Sequence, residues 1–188
     1  MTSLFTFPKG GVHPPEAKSQ TADLGIEIMP VPDTLELILG QHIGAPCTPV
    51  VKKKDQVQEG DLLGTVPKGL GTPLHAPVQG TVTALGMSGH PVRVSTPSVT
   101  LAVDHAAPAR QYAKQPWVDK TPAELLETIR QGGIVGLGGA GFPTYAKLQP
   151  PAEPAVDTLV LNGAECEPYI TSDDRQMREA AAEIVEGA

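Results

Sequence analysis

Residues 132–147 read GGIVGLGGAGFPTYAK, and six of the first ten are glycine. Each glycine in regular structure costs roughly 0.5–1 kcal/mol relative to alanine, so a run this dense needs a physical reason. One reason is close approach, because backbone N–H groups without neighbouring Cβ atoms can point at an anionic or planar ligand. The other is a mobile loop. The run alone leaves both readings open.

The composition limits the classes of function. At 188 residues the chain is long enough for one large or two small domains, and its 40% hydrophobic and 19% charged residues indicate a folded, globular protein. The net charge of −7 and the lack of a basic cluster argue against nucleic acid as a partner. No apolar run approaches the roughly 18–20 residues that span a bilayer, so no direct membrane insertion is expected. The two cysteines, Cys47 and Cys166, lack the C-x-x-C spacing typical of zinc or iron–sulfur sites.

Four regions are predicted along the chain. Residues 1–33 show little hydrophobic periodicity and are expected to form an extended arm that lies on another part of the protein. Residues 34–105 predict a small all-β sandwich or barrel, residues 106–120 a linker rich in proline and alanine, and residues 121–188 an α/β region. Five short runs are predicted as strands of the β unit: Leu35–Leu39, Leu62–Val66, Thr81–Leu85, Pro91–Ser95 and Val99–Val103.

The β unit resembles the biotinyl and lipoyl carrier domains in two half-motifs, within residues 51–63 and 74–82. Counting back from Ala76-Pro77, Gly69 stands where such domains carry the modified lysine, and Lys68 is one position away. A slip of one residue at a hairpin tip turns a side chain to the other face, which argues against covalent biotin or lipoate. The sequence therefore predicts a barrel-sandwich hybrid that serves as a scaffold or docking surface.

A helix is predicted to lead into the glycine run. Thr121 is a suitable N-cap, Pro122 suits the first helical position, and Glu124 completes a capping box. The glycines at 132 and 133 should end this helix. Its predicted buried face is formed by Leu125, Leu126 and Ile129. After the glycine run, Pro143 is expected to begin a second short helix that carries Tyr145 and Lys147.

The last part of the chain predicts a strand and a helix. The apolar run Val156–Leu161 predicts a buried strand, and a final helix is expected over about Ser172–Glu186 with Asp173 and Asp174 near its positive end. Because ligands of α/β sheets bind beyond the carboxyl ends of strands, residues 162–169 and the glycine run are expected to share one crevice. This polar segment favours the ligand-binding reading of the glycines over the mobile loop.

Two common phosphate motifs do not account for the glycines. No Gly-Lys-Ser/Thr closes the run, which excludes a P-loop. Residues 136–141 match G-x-G-x-x-G, but the long buried strand before this dinucleotide motif and the long helix after it are missing.

The sequence GGAGFPT at 138–144 with Lys147, followed by NGAECEPY at 162–169, resembles the NADH- and FMN-binding flavoprotein subunit of respiratory complex I. It resembles more closely the RnfC (RsxC) subunits of Rnf ion-translocating electron transport complexes. That resemblance covers nearly the whole chain, including residues 9–16 and the carrier-like β unit.

The resemblance implies a role for each candidate site residue. The backbones of Gly136, Gly138, Gly139 and Gly141 would approach the FMN ring and the NADH diphosphate. Phe142 would offer an apolar face, Lys147 a positive charge beside the flavin, and Asn162 a hydrogen bond to its polar edge. Glu165 and Glu167 would flank the flavin and nicotinamide as the catalytic pair, and their spacing points both the same way if the segment is extended.

The alternative to a catalytic role for Glu165 and Glu167 is a structural one, either helix capping or surface charge. Cys166 between them is expected to be a packed small residue. The chain also departs from the complex I pattern. Ala164 stands where that subunit has aspartate, and Tyr169, where it has glycine, is expected to narrow the nicotinamide slot.

The function implied is that of an electron-input subunit, in which NADH reduces FMN and FMN passes electrons to 4Fe-4S clusters. Partner subunits would couple this flow to ion translocation, with the subunit peripheral on the cytoplasmic side of the bacterial inner membrane. With two cysteines, the chain lacks the cluster ligands and is expected to be an N-terminal fragment. The alternative function is a non-catalytic docking fragment whose lipoyl-like unit binds a partner subunit. The downstream acceptor, the ion and the direction of electron flow are left open.

Overall fold

The computed structural model describes residue 12 and residues 14–114, 116–149 and 156–188. The chain divides into two compact units. One is continuous, Pro30–Pro154, and the other joins Met1–Met29 to Ala155–Ala188.

The continuous unit contains two antiparallel sheets. The four-stranded sheet has the order β1-β7-β6-β3 and the three-stranded sheet the order β2-β4-β5. The strands are β1 (Thr34–Ile38), β2 (Thr48–Pro49), β3 (Gln56–Val57), β4 (Leu62–Thr65), β5 (Leu74–His75), β6 (Gly80–Gly89) and β7 (Ser95–Val103). These sheets and the helices that follow them confirm the predicted mixed α and β class with a barrel-sandwich hybrid.

The core of this unit lies along the β6–β7 pair. Leu101 of β7 stands opposite Val82 of β6 and opposite Leu35 of β1, so one register joins three strands. Leu101, Val82, Val99 and Leu63 are all 0% exposed. Burying such side chains contributes about 1.5–3 kcal/mol each, which makes this core the main source of stability of the barrel.

One predicted strand of the β unit is wrong. The sequence predicts a strand over Pro91–Ser95, but residues 91–94 form the connection between β6 and β7, and only Ser95 belongs to β7. The side chain of His90 accounts for the difference. Its Nδ1 accepts hydrogen bonds from the backbone N–H groups of Val92 (3.0 Å) and Arg93 (2.9 Å), and its Nε2 donates to the carbonyl of Gly40 (2.7 Å). Two N–H groups that a strand would offer to a neighbour are therefore bound locally.

Helix α1 (Pro122–Gln131) begins as predicted. The Thr121 hydroxyl accepts a hydrogen bond from the backbone N–H of Glu124 (3.4 Å), and the Glu124 carboxylate accepts one from the backbone N–H of Thr121 (2.8 Å). The hydrogen bonds from the Thr121 hydroxyl and backbone lower the pKa of Glu124. The capping box is therefore confirmed, and it satisfies donors that the first turn would otherwise leave unpaired.

The C-terminal end of α1 is also as predicted. Gly133 adopts a φ of +71°, and the N–H groups of Gly133 and Ile134 bond back to Arg130 and Ile129, which is a Schellman motif. The predicted buried face is only half-buried. The reason is that α1 packs mainly against α2 (Thr144–Lys147), which is a single turn long.

The second unit contains α3 (Ser172–Glu179) and α4 (Ala181–Gly187), where the sequence predicts one continuous helix. The helix is interrupted at Ala180, which has φ −124° and ψ +31°. Glu179, the residue before the break, accepts hydrogen bonds from the backbone N–H of Ile26 (3.3 and 3.4 Å). Residues 14–29, part of the predicted arm, thus pack on the C-terminal segment.

The predicted buried strand Val156–Leu161 is wrong. All six residues are exposed and in no regular structure, and Val160 is 78% exposed. A strand needs a neighbour to hydrogen-bond its backbone, and within the described parts of the chain no strand pairs with this segment. An apolar run indicates what a segment would bury, but it does not supply the partner.

Candidate functional site

The glycine run forms a closed loop in the continuous unit. The backbone N–H of Gly136 donates to the carbonyl of Phe142 (2.9 Å), and that of Thr144 donates to the carbonyl of Ile134 (3.0 Å). A β-bridge between Val135 and Pro143 lies between these two bonds. Residues 137–141 therefore project as a turn from a short antiparallel base, and α2 begins directly after it.

This loop is fixed to the barrel by the connection between β1 and β2. The backbone N–H of Ile43 donates to the carbonyls of Ala140 (3.0 Å) and Gly141 (3.3 Å). Gly141 is buried with a φ of +64°, and a Cβ atom there would lie 2.9 Å from the carbonyl oxygen of Gln41. Both the backbone angle and this close contact require glycine at 141.

The other glycines of the loop face open space or a side chain. A Cβ atom at Gly138 or Gly139 would meet nothing within 4 Å. At Gly136 it would lie 2.7 Å from the Nζ atom of Lys147, so this amino group covers the base of the loop. The absence of side chains at 138 and 139 is therefore not explained by packing within the unit.

The loop presents a run of free backbone donors. Within the described residues, the N–H groups of residues 137–142 donate no close hydrogen bond to a group outside the turn that they form, and residues 137–140 are exposed. Successive N–H groups of this kind bind anions, and the Lys147 ammonium adds a positive charge at the base. The donor set fits a phosphate or the electron-rich edge of a planar heterocycle, and Phe142, 37% exposed, adds apolar surface beside it.

The acidic segment, residues 162–169, belongs to the other unit. The Asn162 side-chain oxygen accepts a hydrogen bond from the backbone N–H of Ala164 (3.0 Å), which leaves its amide nitrogen available. Cys166 is exposed, so the expectation of a packed small residue is wrong; the segment lies at the surface and offers no core to enclose its side chain. That the acidic segment and the glycine loop share one crevice stays a prediction.

The two glutamates of this segment have different surroundings. The Glu165 carboxylate accepts hydrogen bonds from the Ser172 hydroxyl (3.1 Å) and from the backbone N–H groups of Asp173 (3.0 Å) and Asp174 (3.3 Å). It thereby caps α3, whose N-cap residue provides no side-chain bond. The bond from the Asp173 N–H is the main cause that lowers the pKa of Glu165.

Glu167 lies in a bend, is exposed, and has no hydrogen bond or ion pair with any described residue. Helix capping, the alternative role for the two glutamates, therefore applies to Glu165. The Glu167 carboxylate has no such role and is accessible to a ligand. Whether either residue acts on a bound nucleotide stays a prediction.

Sequence reasoning missed the residues that support both segments. The backbone N–H of Ile43, about a hundred positions earlier in the chain, donates to the glycine loop. The side chain of Lys18 donates to two carbonyls within residues 165–170. Neither belongs to a motif. Both contacts use backbone carbonyls, which leave no signal in the sequence.

No described part of the chain brings together three or more His, Cys, Asp or Glu residues in a way that could hold a metal ion. Within residue 12 and residues 14–114, 116–149 and 156–188, no helix is both long and apolar enough to cross a membrane.

The fold and the loop define a class of protein in which a barrel-sandwich hybrid supports a glycine loop suited to a flavin or nucleotide. Family comparison agrees on both parts. Residues 5–106 match the RnfC Barrel sandwich hybrid domain, and residues 129–188 match the Nuo51 FMN-binding domain. The chain belongs to the RnfC family.

Curated relatives cover 95% of this chain. It is 39% identical over 189 residues to a subunit of the proton-translocating ferredoxin:NAD(+) oxidoreductase complex of Clostridium ljungdahlii. It is 42% identical over 186 residues to a subunit of the ion-translocating oxidoreductase complex of Serratia proteamaculans, and 43% identical over 183 residues to the corresponding protein of Yersinia pestis. The chain spans 40%, 26% and 29% of the length of these three relatives.

Proposed function

We propose that this chain is the electron-input part of an Rnf-type oxidoreductase complex, and that its glycine loop and acidic segment hold FMN and NADH. The observation that carries the proposal is the run of free N–H groups at residues 137–142, on a loop fixed to a packed barrel. This loop lies within the region that matches an FMN-binding domain.

The glycine loop would hold the anionic parts of the cofactors. Gly138 and Gly139 would allow the backbone to approach the ligand, since the space beside them is open. Lys147 would add a positive charge at the base, and Phe142 would cover an apolar face. The net charge of −7 repels an anionic ligand at long range. The affinity for an anion therefore has to come from hydrogen-bond donors and the lysine charge at short range.

The acidic segment would supply polar contacts to the cofactors. Asn162 would hydrogen-bond the polar edge of the flavin, and Glu165 and Glu167 would flank the flavin and the nicotinamide. Since the Glu165 carboxylate caps α3, Glu165 would act chiefly by fixing the segment, while the Glu167 carboxylate would contact the nucleotide.

When bound, FMN would accept two electrons from NADH and release them singly to 4Fe-4S clusters. The chain has two cysteines, fewer than the four thiolates that a 4Fe-4S cluster takes, so the cluster ligands would lie outside these 188 residues. The relatives' names support a role in an ion-translocating complex. In this proposal the subunit is peripheral on the cytoplasmic side of the membrane, and partner subunits move the ion.

Fluorescence titration with FMN tests the proposal. Gly139→Val adds a side chain where the structure has open space, so the fold should be unchanged while the bound ligand is obstructed. We expect its Kd for FMN to rise at least about tenfold, which corresponds to roughly 1.4 kcal/mol. Gly89→Val is the matched control, because Gly89 also has nothing within 4 Å but lies at the end of β6.

Saturable binding that Gly139→Val and Gly89→Val weaken equally would contradict a flavin site at this loop. A folded chain without saturable FMN binding would contradict the proposal and favour the docking fragment instead.

A further inference from the structure

The acidic segment is clamped by one side chain from the N-terminal arm. The Lys18 Nζ atom donates hydrogen bonds to the carbonyl of Glu165 (3.0 Å) and to the carbonyl of Ile170 (2.9 Å). A lysine ammonium has three donors, and two of them here join the two ends of the stretch that contains Glu167. Lys18 thus fixes the distance between the two ends of this stretch.

Two residues of the arm on either side of Lys18 bind the backbone of Tyr169. The backbone N–H of Tyr169 donates to the carbonyl of Glu16 (3.0 Å), and the Thr21 hydroxyl donates to the carbonyl of Tyr169 (2.6 Å). Both backbone polar groups of Tyr169 are therefore bound by residues about 150 positions earlier in the chain.

Tyr169 needs this support because of its backbone. Its φ of +68° lies in the left-handed region, which is unfavourable for a residue with a Cβ atom. Its side chain is 53% exposed, so packing of the ring does little to hold the conformation. A strained backbone persists only where the surroundings fix it, and here the hydrogen bonds from the arm do so.

Glu165 is held from two directions. Lys18 binds its carbonyl, and the N-terminal end of α3 binds its carboxylate. The segment is thus fixed at Glu165, at Tyr169 and at Ile170, and the Glu167 carboxylate between them has no partner among the described residues. This arrangement holds the backbone and leaves one acidic side chain free.

We propose that residues 16–21 form a strap that sets the conformation of the acidic segment, with Lys18 as the positioning residue for Glu167. This inference rests on the proposed function, because it assigns the strap to the nucleotide site. Without the strap, Tyr169 relaxes from its left-handed conformation, the segment samples other conformations, and the affinity for the cofactor falls.

Hydrogen exchange and FMN titration of the same proteins test the proposal. The variants are Lys18→Met, which keeps the aliphatic stem but has no donors, and Lys18→Arg, which restores them. Lys68→Met is the matched control, since Lys68 is an exposed lysine between β4 and β5. Thr21→Val is a second variant of the strap, which removes the hydroxyl contacts with the carbonyls of Tyr169 (2.6 Å) and Lys18 (3.2 Å).

In Lys18→Met we expect faster exchange in peptides that cover residues 162–171, and a rise in the Kd for FMN of about three- to tenfold. Thr21→Val should show a smaller change in the same direction. Lys18→Arg should recover both values, and Lys68→Met should match the wild type.

Three results would overturn parts of the inference in separable ways. Unchanged exchange at 162–171 in both Lys18→Met and Thr21→Val would contradict the strap. Faster exchange with an unchanged Kd for FMN would contradict a positioning role. A wild-type chain that does not bind FMN would contradict the proposed function, while the exchange measurement would still decide whether the strap exists.

Discussion

The glycine loop and the acidic segment are held in place by different interactions. The glycine loop rests on a barrel whose core side chains, such as Leu63 and Leu101, are fully buried. The acidic segment lies beside α3, which contains no buried residue, and is held by hydrogen bonds from Lys18, Thr21 and the start of α3. The first is attached to a packed barrel by backbone hydrogen bonds from Ile43 and by the close contact at Gly141, and the second is held only by a few polar contacts.

This difference predicts unequal rigidity. A typical hydrogen bond contributes about 0.5–1.5 kcal/mol net, and contacts exposed to water lie at the low end, whereas a packed core unfolds only as a whole. The glycine loop should therefore keep its shape whenever the barrel is folded. The acidic segment should open locally while the rest of the protein stays folded. Substitutions elsewhere in its unit should therefore change its conformation more than that of the glycine loop.

The largest expected effect comes from the barrel core. Leu101→Ala removes a side chain packed between β1 and β6 and should lower the free energy of unfolding by about 2–5 kcal/mol. Cys47 reports this change, because it is 1% exposed and burial raises the pKa of its thiol above the ordinary 9.0. Its labelling by a thiol reagent requires the barrel to open, so its rate should rise at least about thirtyfold.

Exposed Cys166 serves as the internal reference, since it should react in the folded state at the same rate in both proteins. Leu161→Ala is the matched control, because Leu161 is 57% exposed and its truncation should leave Cys47 labelling unchanged. Equal labelling of Cys47 in Leu101→Ala and wild type would show that this core does not determine the stability of the barrel.

A smaller effect is expected where the glycine loop meets the barrel. Gly141→Ala places a Cβ atom 2.9 Å from the Gln41 carbonyl oxygen at a φ of +64°, and should cost at least about 1–2 kcal/mol. Gly138→Ala has open space and should range from neutral to about 1 kcal/mol more stable, because alanine restricts the unfolded chain. Urea denaturation of both variants checks this contrast. Equal losses would mean that the loop is not fixed through Gly141.

How far the sequence predicts this protein depends on how local each interaction is. The capping box of Thr121 and Glu124 involves residues three apart, and the structure confirms it. The strands predicted at Leu35–Leu39, Thr81–Leu85 and Val99–Val103 are present as β1, β6 and β7, but no local pattern indicates which of them pair. Val156–Leu161 has the composition of a buried strand, but a strand also depends on a neighbour that a run of residues does not reveal.

The candidate site shows the same limit. Gly138 and Gly139 lie in an exposed turn, which a glycine-rich run predicts, but no contact in the structure requires glycine at either position. Helix capping by Glu165 is one of the alternatives that the sequence allows, but its geometry depends on where the chain turns into α3. Lys18 lies 147 positions from Glu165, and its partners are carbonyl groups that every residue has, so no pattern in the sequence indicates this contact.

The smallest expected effect is an acid-induced loosening of the acidic segment. The Asp173 N–H bond and its neighbours favour the charged form of Glu165 and lower its pKa below the ordinary 4.5. A carboxyl whose pKa is lowered on folding adds stability at pH values above its unfolded pKa. That contribution declines as the pH drops past 4.5 and is lost once the pH falls below the folded-state pKa. The barrel core contains no such group among its buried side chains, so its stability should not share this transition.

NMR titration of the Asp173 and Asp174 backbone amides between neutral and acidic pH measures this transition directly. Both N–H groups donate to the Glu165 carboxylate, so their shifts should follow its protonation with a midpoint below 4.5. Glu165→Gln keeps an acceptor oxygen but cannot ionise, and should remove that transition. A transition that persists in Glu165→Gln would assign the titration to another carboxyl and leave α3 without its proposed cap. Such a result would weaken the contrast between a loop attached to a packed barrel and a segment held by a few polar contacts.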